Sequence, residues 1–148
     1  MKNTFYLLLA PLFFIACNNN DNQQEKKEIE TPKGVFMWQA MEDSAGNLQM
    51  NKVPLNGADL STPQAILNII NEVTPEIKLD FVKISNDTVY AKIDDATFLT
   101  QQMGSTGSTS YLSTVVYNLT ELPGINYVTL AFEEGDHAGP GKKKKKDF

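Results

Sequence analysis

"TSYLSTVVYNLTELPGINYVTLAFEEGD", Thr109 to Asp136, can be read two ways at its start. Its threonines and valines favour a strand by propensity. Its spacing favours a helix, because Leu112, Val115, Leu119 and Leu122 fall on one helical face. Pro123-Gly124 then stops the run. The reading adopted is a helix over Tyr111–Leu122. A strand follows, with Val128, Leu130 and Phe132 on one side, until the side chains turn acidic and Gly135 breaks it.

Upstream, "STPQAILNIINEVTP" carries helix punctuation: Thr62 as cap, Pro63 in the first helical position, Pro75 beyond the end. Ile66, Ile69, Ile70 and Val73 supply its apolar face. "VFMWQAM" and "LQMNKVPL" read as strands of a first hairpin around "DSAGN". "IKLDFVKISNDTVYAKID" reads as a second hairpin around Asn86-Asp87. In its first strand the apolar face switches from Leu79 and Phe81 to Val82 and Ile84, which calls for a bulge or two-sided burial. "MGSTGSTS", Met103 to Ser110, reads as a mobile loop that caps the next helix. The expected fold class is α/β (α+β), a small mixed sheet of about five strands with two helices on one face, in the order β-β-α-β-β-α-β.

The termini frame this domain. "MKNTFYLLLAPLFFIAC" has a lysine, an apolar run and then Cys17, the chain's single cysteine. As a helix, the run would span about 20 Å, short of a roughly 30 Å bilayer core. It reads as a signal peptide over residues 1–16. Phe14-Ile15-Ala16-Cys17 resembles a bacterial lipobox, with Phe14 in place of the usual leucine, which implies lipid attachment at Cys17. Residues 17–33 are polar and read as a flexible tether. Residues 34–136 form the domain, and residues 137–148 read as a disordered lysine-rich tail.

Charge narrows the function classes. The 148 residues carry a formal net charge of −5 and no arginine. Thr31 to Gly141 alone carries −8, and Lys142–Lys146 returns +5. An acidic body without guanidinium groups argues against nucleic acid as a partner. The lysine run could still touch an anionic lipid, lipopolysaccharide or an acidic neighbour.

The chain has one histidine, in "EEGDH". Glu133, Glu134, Asp136 and His137 are the candidate metal ligands. Their spacing matches neither a calcium loop nor a zinc motif, so the expectation is an exposed strand end and no cofactor. For Met37, Met41, Met50 and Met103, core packing explains most of them better than copper ligation does. Catalytic residues are not expected, because a nucleophile needs an activating partner and the spacing offers none. Asp43-Ser44-Ala45 and Asp87-Thr88-Val89 each resemble a bacterial O-glycosylation sequon in a turn.

"STVVYNLTELPGINYVTLAFEEGD" looks like the end of a GerMN domain, the sporulation and spore-germination domain, in which a helix ending at Pro-Gly runs into a last strand. "VKISNDTVYAKIDDATF" resembles that family's hairpin with its acidic residue, here Asp94 or Asp95, followed by Phe98. "TPQAILNIINEV" matches its first helix. The resemblance covers about Val35 to Glu134. It implies a compact, extracytoplasmic α/β domain, often lipid-anchored, that binds other envelope proteins and has no catalytic motif. The expected function is a lipid-anchored cell-envelope binding or scaffold domain. Its partners would be the membrane through the lipid, and an envelope protein or peptidoglycan, with an oligomer compatible. The alternative is a small envelope hydrolase or glycan-processing accessory.

Overall fold

The computed structural model describes residues 35–148. The segments read as signal peptide and tether, with Cys17, lie outside the described residues. Strands β1 (Phe36–Glu42) and β2 (Leu48–Pro54) form an antiparallel two-stranded sheet of their own. Helix α1 spans Pro63–Val73. Strands β3 (Leu79–Ser85) and β4 (Thr88–Ile93) form the second hairpin. A π-helical turn, Phe98–Gln102, leads into α2, Gly104–Leu119. Strand β5 (Tyr127–Ala131) follows, then β6 (Gly141–Lys143) and a 3-10 turn, Lys145–Asp147.

The larger sheet runs β3-β4-β5-β6, with β4 and β5 parallel and the other pairs antiparallel. The α/β class is as expected. Two details differ: the first hairpin stands apart from the main sheet, and the tail adds a strand. Met103–Ser110 also differs, being helical almost throughout. There the helix starts two turns early because one face of the stretch, at Gly107 and Ser108, packs against the preceding turn, while Ser105, Thr106 and Thr109 stay exposed. Ser108 is fully buried and its hydroxyl donates to the Leu99 carbonyl. A Cβ on Gly107 would come within 3.1 Å of the Met103 Cβ. Burial and close approach thus outweigh the poor helix propensity of Gly, Ser and Thr.

The core gathers between the helices and the main sheet. Leu79, Val89, Ala91, Ile93, Val128 and Leu130 are buried from the sheet side. Leu112, Val115, Leu119 and Leu122, the stripe that argued for the helix, are all buried. A register shift between Phe81 and Lys83 is the bulge that the switched pattern required. Beyond it Val82 and Ile84 are exposed.

In α1, Thr62 Oγ1 accepts from the Ala65 N–H at 3.2 Å, as a cap should. The Asn71 side chain bonds both the N–H and the carbonyl of Leu79, at 2.9 and 3.0 Å, and so fixes the helix to the start of β3. Its buried face is Ile66, Leu67 and Ile70. Ile69 is half-buried and Val73 is exposed, so the apolar face is wider than the core it serves.

Candidate functional site

The "EEGDH" segment is docked rather than free. The His137 N–H donates to the Thr100 carbonyl at 3.0 Å, and His137 Nδ1 lies 3.2 Å from Ser105 Oγ. A Cβ on Gly135 would meet the Thr100 Cβ at 2.7 Å, so the loop lies hard against the π-helical turn. Among the described residues no group of three or more His, Cys, Asp or Glu is placed to share a metal ion. Glu133, Glu134 and Asp136 are exposed, and His137 is half-buried. Of the two sequons, Ser44 lies exposed in its turn, whereas Thr88 is buried and donates to Asp87 at 3.1 Å. Of these four methionines only Met37 is buried, while Met41 is exposed.

The lysine tail also departs from the expectation of disorder. Lys142 and Lys143 pair with Thr129 and Val128 of β5. The Lys142 ammonium sits 3.7 Å from the Tyr127 ring centroid. Lys145 donates to Glu121 and lies 5.5 Å from the Tyr117 ring centroid. An unpaired edge of β5, two aromatic faces and one carboxylate thus order a run that composition alone marks as solvated.

A chiefly apolar concave feature lies elsewhere. It is a groove of about 350 Å³ between the first hairpin, α1 and α2. Ile69 and Val73 of α1 line one wall, and Gly107 and Tyr111 of α2 line another. Met37, Val53 and Leu55 come from the hairpin side. These include two α1 residues of the predicted apolar face, Ile69, which the core covers only in part, and Val73, which it leaves exposed.

Polar side chains hold the hairpin in place beside this groove. The Trp38 N–H donates to Asn118 Oδ1, and Asn118 Nδ2 donates to the Trp38 carbonyl, both at 2.8 Å. The Ala40 N–H donates to Thr114 Oγ1 at 3.2 Å. Helix α2 therefore satisfies the outer edge of β1 with side chains, as a neighbouring strand would with its backbone. Trp38 Nε1–H donates to Glu121 Oε1 at 3.0 Å, and the Trp38 ring packs edge-on against Tyr117. Burial pushes the Glu121 carboxyl up, but hydrogen bonds from Lys145 and Trp38, with the charges of Lys145 and Lys52, more than offset it. Its pKa is therefore below the ordinary value.

Tyr111 is the oddity in the groove wall. It is 5% exposed, and its hydroxyl is a buried polar atom without a hydrogen-bond partner among the described residues. Burial alone pushes the phenol well above its usual pKa, so the hydroxyl stays a neutral donor. Sequence reading took Tyr111 only as the start of a helix. The chain's single tryptophan was the available signal for this region.

Comparison with curated proteins finds no match. A solved structure of tandem GerMN domains of the sporulation protein GerM from Bacillus subtilis is similar in fold. Its TM-score is 0.51 at 14% identity, over 77% of this chain and 47% of that one. The first GerMN domain of the same protein gives 0.51 at 15% identity, over 76% of this chain and 99% of that one. The chain thus spans about half of the tandem structure and matches the length of one domain. The family model Germane, described as sporulation and spore germination, matches residues 11–136. With most of its length inside that match, the chain belongs to the sporulation and spore germination family.

Proposed function

We propose that the protein is a lipid-anchored, extracytoplasmic binding or scaffold domain of the cell envelope, without catalytic activity of its own. The observation that carries this reading is a GerMN-type domain placed after an apolar run that ends in Phe14-Ile15-Ala16-Cys17. Processing before Cys17 would leave an acylated cysteine and a polar tether, residues 17–33, ahead of the domain. A tether of that length reaches roughly 20–25 Å on average. The domain would then work close to its membrane, against an envelope protein or peptidoglycan. A fold by itself assigns no activity, so family membership and the anchor support only the class of function.

Fractionation tests the anchor. Cys17→Ser should release the protein from membranes or leave it unprocessed, and the mature protein should carry the added mass of acyl chains. A mature mass without acyl chains, in protein extracted without detergent, would reject it. Affinity purification from solubilised membranes tests the role. Recovery of a stoichiometric envelope protein supports a scaffold. Turnover of cell-wall fragments by the pure protein, lost on removing particular carboxylates, would replace this reading with that of a hydrolase.

A further inference from the structure

The groove between the first hairpin, α1 and α2 has features of a small-molecule site. Its volume of about 350 Å³ sits at the small end of the roughly 300–1,000 Å³ usual for such sites, which suits a single acyl chain better than a diacyl lipid. No Lys, Asp, Glu or His lines it. An ionised head group would therefore lose its hydration there with no countercharge in return. The lining is chiefly aliphatic, with Met37 and Met103 as its adaptable members.

Against that apolar background stands one unsatisfied donor. Buried polar groups are nearly always paired, and an orphan asks for an explanation. The Tyr111 hydroxyl is shut off from water and has no protein acceptor among the described residues. Core packing alone would be served by phenylalanine, which fills the same space without the cost of an unpaired hydroxyl. The matching occupant is apolar and uncharged, and carries one hydrogen-bond acceptor. Tyr111 lines the groove with its hydroxyl buried behind the surface, so the occupant would reach it by displacing neighbouring lining side chains.

We propose that this groove binds a single acyl chain linked through an uncharged ester carbonyl, with Tyr111 donating to that carbonyl. The site lies wholly within the described residues and does not depend on the membrane anchor.

Two substitutions separate binding from folding. Tyr111→Phe removes the donor and keeps the ring. Val73→Asp places a charge at the groove rim, on a residue that is 67% exposed and so tolerant of change. The protein would be the processed chain from residue 17 with Cys17→Ser, which has no acyl group of its own to compete. The probe is monolaurin, kept below its micelle concentration, with laurate as the charged counterpart. The readout is the methyl resonances of Met37, Met103, Val53 and Leu55.

Saturable shifts at these methyls with monolaurin are expected, with laurate binding at least about tenfold more weakly, as desolvating an unpaired charge demands. Tyr111→Phe should weaken monolaurin roughly two- to tenfold, the worth of one hydrogen bond, with a melting temperature equal to or above that of the parent. Val73→Asp should weaken it while leaving the fold unchanged. Absence of saturable shifts, equal affinity in Tyr111→Phe, or shifts confined to other surfaces would overturn the proposal. The groove would then be open to an apolar segment of a protein partner.

Discussion

Two hairpins of nearly equal length and similar composition behave differently. The second, β3–β4, is part of the core: Leu79, Val89, Ala91 and Ile93 are each at most 2% exposed. The first, β1–β2, contributes one buried side chain, Met37, and is fixed to α2 by Asn118 and Thr114 and to the turn after it by the Trp38–Glu121 bond. One is held by apolar burial and the other by a few directed polar bonds beside an apolar groove. Apolar burial is distributed and hard to undo at a single atom. Directed bonds concentrate a flap's attachment in a few groups.

The strongest test of the contrast is in the second hairpin. Leu79→Ala removes a fully buried side chain and should cost about 2–5 kcal/mol by denaturant unfolding. The loss should be global, with protection from amide exchange falling together across β3, β4 and β5. Asn118→Ala comes next. It leaves the Trp38 N–H and carbonyl without partners, at about 1–3 kcal/mol for a buried group, reduced where water can enter. Here the loss should be regional, with faster exchange in β1 and β2 while β3–β5 stay protected. If Asn118→Ala lowered all amides alike, the two hairpins would be one cooperative unit and the comparison would fail.

What could be read from the sequence follows the same division. Elements whose signal is local were legible. Thr62 and Pro63 mark the start of α1, Asn86-Asp87 marks a turn, and the Leu112–Leu122 stripe marks a buried helix face. The Phe81–Val82 switch pointed to a bulge or two-sided burial, and the bulge is what forms. Features that depend on distant partners were not legible. The helical start at Gly104 rests on Ser108 and Gly107 packing on the preceding turn. Lys142 and Lys143 form a strand because β5 offers a free edge, and Lys145 stays down because Glu121 and Tyr117 receive it. The groove escaped notice because periodicity shows that Ile69 and Val73 are apolar, but not that the core covers Ile69 only in part and leaves Val73 exposed. Asn118 is silent in sequence because its partner, Trp38, lies eighty residues away.

A third test concerns the docked "EEGDH" loop, which a purely polar reading leaves in solvent. Gly135→Ala would push a methyl within 2.7 Å of Thr100. Overpacking of this kind costs about 1–3 kcal/mol. Because Thr100 precedes α2, the effect should spread to the start of that helix. A Gly135→Ala protein as stable as the parent would mean that the loop lifts away at little cost, and so resembles the first hairpin more than the second.

The smallest expected effect lies at Glu121, where the flap, α2 and the lysine tail meet. Its pKa is depressed in the folded protein, so its contribution to stability is complete above the unfolded carboxyl pKa of about 4.3. That contribution is lost as pH falls through the lower folded value. The carboxylate is 42% exposed, so solvent screens it and the gain at neutral pH should stay below about 1 kcal/mol. Glu121→Gln should therefore destabilise slightly at pH 7, and the difference should shrink as pH falls through the folded carboxyl's pKa and with added salt. Asp43, Asp59, Asp87 and Asp95 are also depressed by local hydrogen bonds, so the parent alone will lose stability in acid for several reasons. Only the difference between parent and variant isolates Glu121. Amide exchange at Trp38 and at Lys145–Asp147 should rise together in the variant, because one carboxylate holds both segments. A rise at one segment without the other would show that flap and tail are attached independently, and would leave the first hairpin resting on Asn118 and Thr114.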